Sequence, residues 1–274
     1  MTPDQVEKEY NNRALVPDHA AYFERWQRDS DYVRRNLPCV LDLAYGPDPR
    51  HRIDLFPVAG AKATMVFIHG GYWRSLDKAM FAWLASTWTA AGVGFATLNY
   101  RLCPAVRIDD IVDDVLAAMA WLSANAPRHG VAMDRVAVSG HSAGGHLTAA
   151  LLAQPPARYA FDTRCIVAGV PLSGVFDFAP LQHFSFNSDF RLDDAAVKRL
   201  SLLDKRPTVA APLVVAAGGD ESSEFRRQSR MLADAWRSQV RELLLPAGLN
   251  HFSIVDAFAE RGQPVFESAR ALLA

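Results

Sequence analysis

The segment from Arg135 to Leu147, which reads R-V-A-V-S-G-H-S-A-G-G-H-L, constrains this chain more than any other stretch. It enters as an apolar run, Val136 to Val138, and leaves as a helix-like one, Leu147 to Leu152. Between them stands Gly140-His-Ser-Ala-Gly144, a G-x-S-x-G at the point where a strand turns sharply into a helix, the sequence form of a nucleophile elbow. The serine of such a turn sits in a strained backbone, and only small neighbours let strand and helix close on it. Ala143, Gly144 and Gly145 keep that corner small. The helix start then directs backbone N–H groups at negative charge forming beside Ser142.

The rest of the chain agrees with such a turn. Its 274 residues are half apolar, enough for one large α/β domain over residues 1–274 with a substantial core. A formal net charge of −1 with no block of like charge argues against a nucleic-acid or acidic-membrane partner. Cys39, Cys103 and Cys165 are scattered, with neither a disulfide framework nor metal spacing, so a reducing compartment, the cytoplasm, is expected. The polar start, Met1 to Tyr10, lacks the form of a secretion signal, and no apolar run is long enough to span a bilayer.

Residues 1–36 are charged and aromatic and predict two short helices, read either as a surface cap or as a wall of the site mouth. Apolar and polar residues alternate over Leu41 to Tyr45 and Arg52 to Phe56, which predicts an antiparallel hairpin at the start of the sheet. Beyond Gly60 the strands turn continuously apolar: Thr64 to Ile68, Val93 to Leu98, Val136 to Val138, Ile166 to Leu172 and Leu213 to Ala217, with Arg241 to Leu245 last. Helical patterns fall between them, over Leu76 to Ala91 and Ile108 to Asn125 among others. Strand and helix in alternation predict a mostly parallel sheet of eight strands with helices on both faces. Asp109, Asp110, Asp113 and Asp114 read as a solvated face near the positive end of their helix. Residues 173–207, rich in phenylalanine, are expected beyond the carboxyl ends of the strands as a lid or pocket wall.

A serine hydroxyl needs a base to take its proton and an acid to orient that base. After an elbow serine the expected chain order is acid, then histidine. His251 follows the last strand in a turn-rich loop and is the candidate base; Asp220 and Glu221, just after Leu213 to Ala217, compete as the acid. An oxyanion would be held by the N–H of Ala143 and by the loop after the first buried strand, His69-Gly-Gly-Tyr-Trp73, through Gly71 and Tyr72. His69 is read as tying that loop down. There is no H-E-x-x-H, His141 and His146 are too constrained by the elbow to pair on a metal, and Gly92-Val-Gly94 precedes a strand instead of following one. No metal or cofactor is expected.

With these parts assembled, the chain resembles an α/β-hydrolase over nearly its full length, and within that fold the arylformamidase (kynurenine formamidase) and esterase branch. Tyr10-Asn-Asn-Arg13, His69-Gly-Gly-Tyr-Trp73, Gly140-His-Ser-Ala-Gly-Gly-His-Leu147, Leu172-Ser-Gly-Val-Phe-Asp177 and Ser222-Ser-Glu-Phe-Arg-Arg-Gln-Ser229 carry the resemblance. The resemblance implies that the acid stands directly before the S-x-E-F element and three residues after a glycine, which is Glu221, counted from Gly218, where the family often has aspartate. It implies an N-formyl arylamine of the N-formyl-kynurenine type as substrate, and with it a small acyl pocket and an aromatic-lined leaving-group pocket, for which Tyr72, Trp73, Phe176 and Phe252 are candidates. A carboxylesterase or other small acyl hydrolase with the same triad is the alternative; a non-catalytic binding protein is disfavoured because serine, histidine and acid are all present. A homodimer is compatible with the scaffold but nothing in the sequence demands it.

Overall fold

The computed structural model of the chain describes residues 1–273. Its strands are β1 (Val40–Ala44), β2 (Arg52–Phe56), β3 (Thr64–Ile68), β4 (Gly94–Leu98), β5 (Val136–His141), β6 (Ile166–Leu172), β7 (Leu213–Ala216) and β8 (Val240–Leu244). They form an eight-stranded sheet in the order β1-β2-β4-β3-β5-β6-β7-β8. β2 runs antiparallel to β1 and β4, and the remaining neighbours are parallel. This is the α/β-hydrolase architecture, with the expected antiparallel start.

The strand pleat divides the core in two. Val66, Ile68, Val136, Val138, Leu213 and Val215 face one side, whereas Met65, Phe67, Ala137, Val170, Val214 and Ala216 face the other. Both sides are covered, so the central strands have no polar face to show in their sequence. On the first side lie α1 (Pro3–Tyr10), α5 (Ile108–Asn125), α6 (Ala143–Leu152), α8 (Asp194–Leu200) and α9 (Ser223–Ala235). On the second lie α3 (His19–Asn36), α4 (Leu84–Ala90), α10 (Ser253–Phe258) and α11 (Pro264–Ala271). Two single-turn helices, α2 (Asn12–Leu15) and α7 (Asn187–Phe190), complete the set. No described helix is long and apolar enough to cross a membrane.

Three expectations are corrected here and a fourth is narrowed. The first 36 residues form three helices, of which α3 is 18 residues long, not two short ones. α3 is anchored by a buried charge cluster: Lys78 Nζ lies 2.6 Å from both Asp42 and Asp54, and Arg34 of α3 pairs with Asp54. The expected helix from Leu76 to Ala91 is broken into a 3-10 turn, Lys78–Phe81, and α4. Asp114 is not solvated; it is buried and grips Arg101 through two carboxylate oxygens at 2.7–3.1 Å. In residues 173–207, expected as a lid or pocket wall, only Phe186 among the phenylalanines lines the site cavity, whereas Phe176, Phe178, Phe184 and Phe190 are packed into the core, so the segment is a pocket wall at one ring and otherwise a packed layer.

Candidate active site

β5 is flanked by β3 and β6 at the centre of the sheet, and its carboxyl end carries the elbow. Ser142 takes φ 57°, ψ −116°, a conformation that costs a non-glycine residue about 1–3 kcal/mol. Two hydrogen bonds hold it there: Ser142 N–H donates to the Leu172 carbonyl (2.8 Å), and His146 N–H to the Ser142 carbonyl (3.1 Å). The glycines are a matter of space. A Cβ on Gly144 would stand 1.9 Å from the Ile68 carbonyl oxygen, and one on Gly140 2.3 Å from that of Gly144.

The acid and the histidine come from the ends of β7 and β8. His251 Nδ1 lies 2.7 Å from Glu221 Oε2, with both groups buried. The other carboxylate oxygen of Glu221 accepts from Ser173 Oγ (2.5 Å) and Gly218 N–H (2.6 Å). Asp220, the competing candidate, is exposed and makes no side-chain hydrogen bond among the described residues; its backbone N–H donates to the Leu249 carbonyl instead. Ser142 and His251 line the same cavity, of about 210 Å³.

The other histidines near the elbow are unlike His251. Burial pushes His69 down to about 4 and His146 to about 3, and holds His141 well below the usual imidazole range, with His251 as a further repulsive neighbour. All three are neutral at pH 7. Neutral His141 has one N–H, and its Nε2 sits 2.7 Å from the carbonyl oxygen of His251, so it donates there. The residue before Ser142 therefore straps down the loop that carries His251, a role invisible in the motif. His69 stacks on Tyr100 at 4.3 Å, and Tyr100 Oη donates to the His69 carbonyl (2.9 Å), consistent with tying the loop down.

That loop passes close to the serine: a Cβ on Gly70 would stand 3.2 Å from Ser142 Cβ. Gly71 has φ +108°, and its carbonyl accepts from Arg74 and Ser75 N–H at 3.1 and 3.0 Å, closing a tight turn. The amides of Gly71, Tyr72 and Ala143 have no backbone acceptor among the described residues. They are free donors on the loop and helix start that border Ser142, as an oxyanion site needs.

Of the expected pocket residues, Tyr72 and Phe252 line the cavity, and Trp73 and Phe176 do not. Tyr72 and Trp73 both adopt left-handed backbone (φ 51° and 54°), and the turn sends successive side chains apart. Trp73 packs in the core on Phe178 and His146, at 5.2 and 5.4 Å between ring centres, and Phe176 is fully buried. Sequence reading missed the contribution of the N-terminal helices as particular residues: Asn12, Arg13, Phe23 and Trp26 form one wall. Tyr72 Oη donates to the Tyr10 carbonyl, and Tyr10 Oη to Glu224 (2.8 Å), fastening that wall. The signal available was the Tyr10-Asn-Asn-Arg13 stretch.

Comparison with known proteins adds to this geometry. A family model described as BD-FAE matches residues 54–214, more than half of the chain. The chain belongs to the BD-FAE family. This BD-FAE protein is 27% identical to a kynurenine formamidase of Drosophila melanogaster over 230 residues, 79% of this chain and 76% of that one. A solved structure from Silicibacter sp. TM1040, provisionally called a thioesterase, superposes with TM-score 0.85 at 30% identity over 97% of both chains. Esterase B from Lactobacillus rhamnosis shares the fold, with TM-score 0.71 at 21% identity over 94% of this chain and 96% of that one. The chain is a hydrolase of the α/β family, of the arylformamidase and esterase kind. Among the described residues, no group of three or more His, Cys, Asp or Glu could hold a metal ion.

Proposed function

We propose that this BD-FAE hydrolase cleaves the amide of an N-formyl arylamine, of the N-formyl-kynurenine type, to formate and the free amine. Ser142 Oγ attacks the formyl carbon while His251 takes the hydroxyl proton, and the amides of Gly71, Tyr72 and Ala143 receive the oxyanion. Glu221 holds the imidazole in the tautomer that presents Nε2 to the serine and stabilises the imidazolium. Collapse expels the amine, and His251 returns the proton to its nitrogen, because an anilide anion is a poor leaving group. Water, deprotonated by His251, then attacks the formyl-enzyme and releases formate and Ser142.

The observation that carries this reading is the buried Glu221–His251 pair opening, with Ser142, into a small cavity walled by Tyr72, Phe186 and Phe252. The formamidase relatives support the same substrate. The 28% identity to a probable carboxylic ester hydrolase of Mycobacterium tuberculosis, over 84% of this chain, favours a second reading, a small-acyl carboxylesterase with the same residues in the same roles. Hydrolysis of N-formyl-kynurenine beside p-nitrophenyl acetate, with Ser142→Ala as the blank, separates them. A kcat/KM of about 10⁴ M⁻¹s⁻¹ or more on the formamide supports the first, and turnover of the activated ester alone supports the second.

A further inference from the structure

The residues that line the cavity include two guanidinium groups, on Arg13 and Arg74, and no carboxylate. Arg74 is occupied: its Nε lies 2.6 Å from Asp189, and its guanidinium sits over the Phe186 ring at 4.2 Å. Arg13 is not. Its guanidinium lies over Phe23 at 5.5 Å, exposed, and pairs with no carboxylate among the described residues. Its neighbour Asn12 is 5% exposed, also lines the cavity, and its Nδ2 has no acceptor. The acids just outside are engaged, Glu7 by Asn11 (2.8 Å) and Glu224 by Tyr10 and Arg227 (2.8 Å each).

Charge complementarity then restricts the occupant. A carboxylate would meet the planar fork of Arg13 and the adjacent amide of Asn12, both otherwise unpaired. An ammonium group would enter beside the unpaired Arg13, with Arg74 already neutralised by Asp189 and no carboxylate in the lining to receive it, and an unpaired charge removed from water is costly. We infer that the substrate is a monoanion, a ring bearing the scissile acyl group and a carboxylate but no ammonium, and that Arg13 and Asn12 hold that carboxylate. This rests on the formamidase reading for the acyl group and narrows it from an N-formylated amino acid to an N-formylated aminobenzoate.

The test separates binding from chemistry. Calorimetric titration of the Ser142→Ala protein with 3-formamidobenzoate, formanilide and N-formyl-kynurenine compares an anion, a neutral ring and a zwitterion. The anion is expected to bind at least about tenfold more tightly than the neutral ring, as a charge-assisted pair supplies. In the Arg13→Gln background that preference falls to about threefold or less, and Arg13→Lys keeps part of it. Equal binding of anion and neutral ring, no binding of the anion at millimolar concentration, a preference that survives Arg13→Gln, or zwitterion binding as tight as the anion's would each overturn the inference. Turnover of the same compounds by the unaltered enzyme reads the other question: absence of formamide hydrolysis sinks the formamidase reading, while the titrations still decide the role of Arg13.

Discussion

Three imidazoles buried around the elbow make the fold sensitive to mild acid, in a pH window where carboxylates are quiet. In the unfolded chain each histidine titrates near 6.5, whereas His69 and His146 are held down to about 4 and about 3 by burial. A depressed folded pKa means that the unfolded state binds protons first, so stability falls as pH drops through 6.5 and goes on falling until the folded pKa is reached. Between pH 7.5 and 5, each of these two groups removes about 2 kcal/mol, at 1.36 kcal/mol per unit of pKa difference traversed. His141 shifts in the same direction and adds to the loss. About 4 kcal/mol from His69 and His146 together is a large part of a typical 5–15 kcal/mol stability. Urea unfolding followed by tryptophan fluorescence at pH 7.5, 6.5, 5.5 and 5.0 measures it directly. The midpoint should begin to fall at about 6.5 with a constant m-value. A midpoint flat to pH 5, with loss only below about 4.5 where carboxylates titrate, would refute the reasoning.

Three further outcomes follow from the site and the core. Glu221→Gln should lower kcat by about 10³–10⁴, as loss of the orienting carboxylate does in other serine triads, while Asp220→Asn stays near the unaltered rate; a larger loss at Asp220 would reverse the assignment. Ser142→Ala should abolish both turnover and covalent labelling by a fluorophosphonate, and labelling that persists would place the nucleophile elsewhere. Lys78→Met leaves the buried Asp54 carboxylate with Arg34 as its one cationic partner, beside the Asp42 N–H, and should cost about 3–5 kcal/mol in urea unfolding, against under about 0.5 kcal/mol for a substitution of exposed Arg28.

Much of this fold was legible because the strands at its centre are covered on both faces. β3, β5 and β6 read as unbroken apolar runs, and α5 as a 3.6-residue stripe, because nothing local competes with burial there. The elbow was legible because steric demand restricts its neighbours to glycine and alanine. The choice between Asp220 and Glu221 was not, since both follow β7; it is made by Ser173 and Gly218, which hold only Glu221 from inside. Nor could the pattern show that Trp73 turns away from the cavity, because two consecutive left-handed residues decide it and neither is glycine. The resemblance of the Ser222 to Ser229 stretch carried more than was read from it. Gln228 of that stretch binds the Phe176 and Asp177 amides (2.8 Å each) and Tyr10 Oη (2.9 Å), so it holds the N-terminal wall in place and takes no part at the serine.

The wall built from Asn12, Arg13, Phe23 and Trp26 lies within the first 36 residues, whereas Ser142, Glu221 and His251 hang from β5, β7 and β8. One wall of the cavity is thus encoded in a separate stretch of the gene from the residues around the serine. Mutation or recombination in the leading segment can change which molecules are admitted while the residues around the serine stay untouched. Exchange of residues 1–36 between members of this family is, on this architecture, a compact route to libraries of altered selectivity. The fastening points for such grafts are Tyr10 against Tyr72, Glu224 and Gln228, Arg25 and Trp26 against Asp256, and Arg34 against Asp54.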